Sequence, residues 1–95
     1  MLHILMSSPF KTNIDYIVKF LNDFDDFLAL QNGVLIALKN NVFLRHFKKK
    51  KVTLFVLQED IIARGLEYQV SKIFHIINYT QFVTLTVKNK HQMKW

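Results

Sequence analysis

Four short apolar runs set the limits on how this chain can fold: Leu2–Met6, Phe27–Leu30, Val52–Leu57 and Ile73–Ile77. Each has the length of a strand, and each is too short for a buried helix. Between them lie segments with helical spacing. Ile14, Ile17, Val18 and Leu21 recur at helical intervals, with Asp15, Lys19, Asn22 and Asp23 on the polar side. Strands that alternate with helices predict an α/β fold, with a mostly parallel sheet of about four strands flanked by helices. At 95 residues the chain is expected to form a single domain, residues 1–95.

Local signals place the element ends. Ser7-Ser8-Pro9 closes the first strand, and Thr12 is expected to cap the first helix, with Asp15 three residues on. Tyr16, Phe20 and Phe24 form a second stripe on that helix, for the core or for a subunit contact. Asn32-Gly33 ends the second strand. Val34–Leu38 stays open between a buried strand, one arm of a hairpin and a short helix. Val42–His46 predicts one further helical turn. Glu59 and Asp60 open a helix after the third strand, and Arg64 closes it. Both suit the helix dipole, and Gly65 supplies a left-handed end. The last segment is ambiguous. Val83, Thr84, Thr86 and Val87 are β-branched and favour a strand, yet Tyr79, Phe82, Val83, Thr86 and Val87 also fit a helical stripe that Thr80 would cap.

Nine Phe, nine Ile and one Trp are many for so small a chain. A domain of this size buries roughly two-thirds of its unfolded surface, so some of these groups are expected to meet a partner. Tyr16, Phe20, Phe24, Phe82 and Trp95 are the candidates for such an interface. A terminal Trp frays unless it is tied down, so Trp95 is expected to pack on its own sheet or on a neighbouring subunit.

The formal charge is +6, and eleven of the thirteen basic residues are Lys. Scarce Ala, Gly and Pro beside abundant Asn, Ile and Lys resemble the codon bias of an AT-rich genome, which gives the charge a neutral origin. Lys48-Lys49-Lys50-Lys51 is the one charge block, read as a solvated loop or as a contact to RNA phosphates. No apolar run reaches the roughly 20 residues of a membrane span, and no cleavable leader is visible. The expectation is a soluble cytoplasmic protein.

No catalytic constellation emerges. The chain has no cysteine, which removes a thiol nucleophile, a disulfide framework and Cys-based metal sites. His3, His46, His75 and His91 are scattered, and none pairs at metal-ligand spacing. His3 and His75 fall in apolar strands, as satisfied core histidines. Glu59 and Asp60 are adjacent and so diverge on a helix, which is poor geometry for a coupled acid–base pair. Two glycines cannot build a phosphate-binding loop. No catalytic residue, metal ligand or cofactor contact is assigned.

Several segments, in order, resemble the TusB family, also called DsrH. They are Met1-Leu2-His3 followed by Ser8-Pro9, Leu30-Gln31-Asn32-Gly33-Val34, Glu59-Asp60-Ile61-Ile62-Ala63-Arg64-Gly65-Leu66, Tyr79 to Lys88, and the terminal Gln92-Met93-Lys94-Trp95. Asn32 stands where the family pattern leads one to expect Asp. The resemblance favours helix for both open segments. It implies a subunit of a sulfur relay, in which TusB-, TusC- and TusD-like chains form a heterohexamer with two copies of each. That complex passes persulfide sulfur through a TusE-like acceptor toward 2-thiolation of the tRNA wobble uridine (5-methylaminomethyl-2-thiouridine), so tRNA is reached only indirectly. Active relatives carry a cysteine eight positions before the Gly of an Arg-Gly pair, and here that position is Leu57. The resemblance therefore implies a non-catalytic subunit without cofactor. The alternative is an autonomous RNA-binding module built on Lys48–Lys51.

Overall fold

The structure, a computed structural model, describes residues 1–95. Five parallel strands form one sheet in the order β4-β3-β2-β1-β5. They are β1 (Leu2–Leu5), β2 (Asp26–Ala29), β3 (Thr53–Leu57), β4 (Phe74–Ile77) and β5 (Gln92–Lys94). Three α-helices connect them: α1 (Ile14–Phe20), α2 (Gln58–Ala63) and α3 (Tyr79–Lys88). No helix is long and apolar enough to cross a membrane.

The strand order dictates which face each connection covers. From β1 to β4 the chain steps in one direction, and its connections lie on one face. Ile14, Ile17, Val18 and Leu21 from the α1 region, Phe47, and Ile61 of α2 pack there against Leu5, Phe27, Ala29, Leu54, Val56 and Phe74. From β4 to β5 the chain steps back across the whole sheet. Crossovers of one hand then require the connection to lie on the opposite face. There Leu85 and Phe82 of α3 cover Leu2, Ile4, Leu28, Leu30, Leu57 and Ile77.

Several elements differ from the sequence expectation. Asn13, not Thr12, caps α1 by accepting the Tyr16 N–H at 3.1 Å, while the Thr12 hydroxyl donates to Ser8 O. That helix ends at Phe20, so Phe24 falls outside its stripe, in the loop before β2. The second strand starts one residue earlier than expected, at Asp26. The open Val34–Leu38 segment takes its helical alternative, as a 3-10 helix over residues 31–37, and the turn expected at Val42–His46 is a 3-10 turn over Leu44–Phe47. The first of these segments packs closely on β1. A Cβ on Gly33 would lie 2.1 Å from Leu5 O, so the backbone there runs against β1 with no room for a side chain.

The β-branched segment is helical because its start is fully capped. Asn78 accepts the Gln81 N–H at 2.9 Å, and Gln81 accepts the Asn78 N–H at 2.8 Å. This reciprocal pair, two residues before the expected Thr80 cap, fixes the first turn. Thr84 and Thr86 return their hydroxyls to Thr80 O and Val83 O. His75, expected in the core, is exposed and lies against Phe55 with ring centroids 5.7 Å apart, because α3 leaves that part of the sheet open.

The two glycines separate steric room from backbone conformation. Gly33→Ala is expected to destabilise by about 2–3 kcal/mol through overpacking. Gly65→Ala, at φ 66 in open space, should lose only about 1–2 kcal/mol from the left-handed conformation. Urea denaturation of both variants checks the ranking, and a milder effect at Gly33 would contradict the packing account.

Candidate functional site

The carboxyl ends of the parallel strands are where open α/β sheets place their chemistry. Leu57 ends β3 there, and α2 begins at the next residue. Its side chain is buried among Leu30, Ile77 and Leu85, and no thiol, hydroxyl or imidazole replaces it. The charged groups around it are all engaged as ties. Asp60 accepts the Gln31 N–H at 2.6 Å. Gln31 needs that tie, because its φ of 52 lies in the left-handed region. Arg64 donates to Asn32 Oδ1 at 3.1 Å, and Glu59 accepts the Tyr79 N–H at 3.1 Å. Each joins α2 to a neighbouring loop or helix start. No group of three His, Cys, Asp or Glu side chains is placed to hold a metal, and no buried side-chain N or O lacks a partner.

A second polar arrangement sits in the sheet centre near its amino end. His3 is almost fully buried, and its Nε2 lies 3.1 Å from Asp25 Oδ2. The Trp95 indole N–H reaches His3 Nδ1 at 3.3 Å. An indole can only donate, so Nδ1 accepts and the imidazole proton sits on Nε2, facing the carboxylate. Asp25 also accepts the N-terminal ammonium at 3.1 Å and the Asn22 N–H at 2.9 Å. Asp26 is buried beside it on the other face, where Lys88 and Asn89 donate to its Oδ2. Nothing in the apolar pattern of the chain signals Asp25 or Asp26 as buried.

The candidate interface residues divide into three places. Tyr16, Phe20 and Trp95 form one aromatic cluster, with centroids 5.0 Å apart for Tyr16–Phe20 and 5.5 Å for Phe20–Trp95. Tyr16 and Phe20 remain about half exposed. Phe24 stands alone, 81% exposed at φ 72, a conformation that a bulky residue adopts only under constraint. Phe82 is half-buried beneath α3. The same helix carries an exposed apolar stripe, Tyr79, Val83 and Val87, on a different side. The lysine block is also split. Lys50 donates from Nζ to Leu21 O at 2.8 Å, while Lys48 and Lys49 line separate cavities.

A family model described as "DsrH like protein" matches residues 7–92. The chain belongs to the DsrH family. It is 52% identical over 95 residues to Protein TusB of Buchnera aphidicola subsp. Acyrthosiphon pisum, with all of both chains covered. It is 43% identical to Protein TusB of Erwinia tasmaniensis and 41% to that of Escherichia coli K12, again over the whole of both chains. Among solved structures it resembles the ychN protein from E. coli, with a TM-score of 0.77 over 99% of this chain and 97% of that one. At 10% identity, that likeness bears on the fold alone.

Burial pushes the Asp25 carboxyl up, but the bonds from Asn22 N–H, the N-terminal ammonium and His3 outweigh it and hold it below its ordinary range. A lowered carboxyl contributes stability that is complete above the unfolded value of about 3.9 and is lost as pH falls through the folded one. Asp25→Asn should therefore be clearly less stable than the native chain at pH 6. The gap should shrink below about pH 4. Urea unfolding across that range measures it, and a pH-independent gap would contradict the assignment.

Proposed function

We propose that this chain is a non-catalytic subunit of a cytoplasmic sulfur-relay complex serving 2-thiolation of the tRNA wobble uridine. The observation that carries the reading is Leu57. It stands at the carrier position of the sulfur-bearing relatives, is buried, and belongs to a chain without a single thiol. A persulfide carrier needs a thiolate as acceptor and donor of sulfur. Membership in the DsrH family supports a place in the relay, and the missing thiol supports an assembling role rather than a carrying one. The partners are TusC-like and TusD-like paralogues, two copies of each chain in a heterohexamer, with the sulfur leaving to a TusE-like acceptor.

The surface supports assembly. Tyr16, Phe20, Phe24 and the Tyr79–Val83–Val87 stripe leave large apolar groups in water. Interfaces gather aromatic residues of this kind in their cores. The carboxyl-end ties from Asp60, Arg64 and Glu59 hold rigid the loops nearest the carrier position, which suits a scaffold.

Incubation with a persulfide donor followed by intact-mass measurement should leave the chain unchanged in mass, while a TusD-like partner in the same mixture gains sulfur. Stoichiometric sulfur on this chain would overturn the reading. A second test uses the strained Phe24. Phe24→Gly relieves the left-handed backbone, so the isolated chain should unfold within about 1 kcal/mol of the native protein or later. Co-purification with the paralogues should nevertheless weaken. Full retention of assembly would remove Phe24 from the interface.

A further inference from the structure

The largest cavity, of about 590 Å³, lies away from the carboxyl-end site and takes no part in the relay reading. Four cations line it: Lys39, Arg45, Lys48 and Lys72. None makes an ion pair, and no carboxylate lines the cavity. Two independent pieces of backbone bring them together. Arg45 and Lys48 are three apart across a 3-10 turn, where residues at that spacing eclipse. Lys39 and Lys72 flank a short antiparallel tie, in which Lys39 N–H donates to Gln69 O at 2.8 Å and Ser71 N–H to Ala37 O at 2.7 Å. Asn41 pins the loop between them by donating to Ile36 O and Leu38 O, both at 2.7 Å.

Six of the seven acids are engaged away from this group, and the seventh, Glu67, does not line the cavity. Asp15, Asp23, Asp25, Asp26, Glu59 and Asp60 each accept from a partner elsewhere. Asp15 in particular is held by His46 Nδ1 at 2.8 Å. Gathering four like charges in one concavity is unfavourable without a counter-anion, and a pinned loop keeps them there. A second, smaller cavity shares Arg45 and adds Lys49, with His46 there held by Asp15, so the cationic track continues past one anion's width.

We infer that this track binds consecutive phosphates of an RNA backbone, with Lys39, Arg45, Lys48 and Lys72 as the contacts. Arg45, common to both cavities, is placed to bridge adjacent phosphates through its fork of donors. A continuous track favours a polymer over a single phosphate ion. The choice of RNA rests on the relay reading, to which it adds a direct contact with the tRNA that the relay itself reaches only indirectly, while the cationic track does not depend on that reading. The contacts carry no base recognition, so affinity should be insensitive to sequence and steeply dependent on salt.

The test titrates the full-length chain with an unmodified tRNA transcript over a range of salt. It compares the native protein with K39Q/R45Q/K48Q/K72Q and with the charge-matched K11Q/K19Q/K90Q/K94Q, whose lysines line neither cavity. The cavity variant should bind at least tenfold more weakly at low salt, and its slope of log K against log salt should fall by about two or more, since each lost phosphate contact removes roughly 0.7–0.9. The matched variant should lose less than threefold. Equal losses in both variants, or no binding by the native chain, overturn the proposal. Displacement of the RNA by millimolar inorganic phosphate at constant ionic strength also overturns it, in favour of a single-anion site. Circular dichroism of both variants separates unfolding from lost contacts. Failure of the relay reading would show separately, as no association with paralogues on co-expression.

Discussion

The reversal of direction after β4 is the constraint on which the rest of this molecule depends. Three connections in one direction concentrate α1, the 3-10 segments and α2 on one face, and the single return crossover leaves α3 alone on the other. Ten helical residues cannot cover a five-stranded sheet. The consequences are visible at His75 and Phe55, which share an open patch, and along α3, whose lateral stripe stays in water. The reversal also makes β5 an edge strand beside β1. Backbone bonds hold it there: Leu2 N–H to His91 O, Trp95 N–H to Ile4 O and Met6 N–H to Trp95 O.

The strand-to-helix turn at Leu57 shows a carboxyl-end site whose polar groups all serve structure. A strand-to-helix turn, acids at the helix start, and an Arg-Gly close all lie around Leu57. Glu59, Asp60 and Arg64 serve as hydrogen-bond ties between α2 and its surroundings. Asp60 is the clearest case. It satisfies the backbone of Gln31, a non-glycine residue in left-handed conformation. These side chains hold the shape of the carboxyl-end loops.

What was legible in the sequence follows from which forces leave a periodic mark. The first four strands are buried on at least part of both faces, so their apolar runs announce them. β5 carries Gln92, Met93 and Lys94, all exposed, and is held by backbone bonds that any side chains would permit. Its only side-chain signal is Trp95, one residue beyond. The close approach of Gly33 to Leu5 O in the 3-10 segment after β2 is set by tertiary packing and is invisible to local propensity. α3 could be read either way because its β-branched content opposed its apolar spacing, and the Asn78–Gln81 capping box decides in favour of the helix. The cationic cavity was legible only at Lys48. Lys39 and Lys72 meet it through a tie between distant segments, which no spacing rule encodes.

The buried His3–Asp25–Trp95 chain links two features that look independent along the sequence. The first strand needs a partner for a buried imidazole, and the last residue needs a place for its indole N–H. Each solves the other's problem. His3 accepts from Trp95 and donates to Asp25, so all three groups are satisfied only when β5 lies in register beside β1. Apolar residues of the same volume would bury as well but would tolerate a slipped or frayed edge strand. The polar chain specifies one arrangement, and it holds Trp95 against Tyr16 and Phe20. The aromatic cluster offered for assembly is thereby built on the hydrogen bond that locks the edge of the sheet.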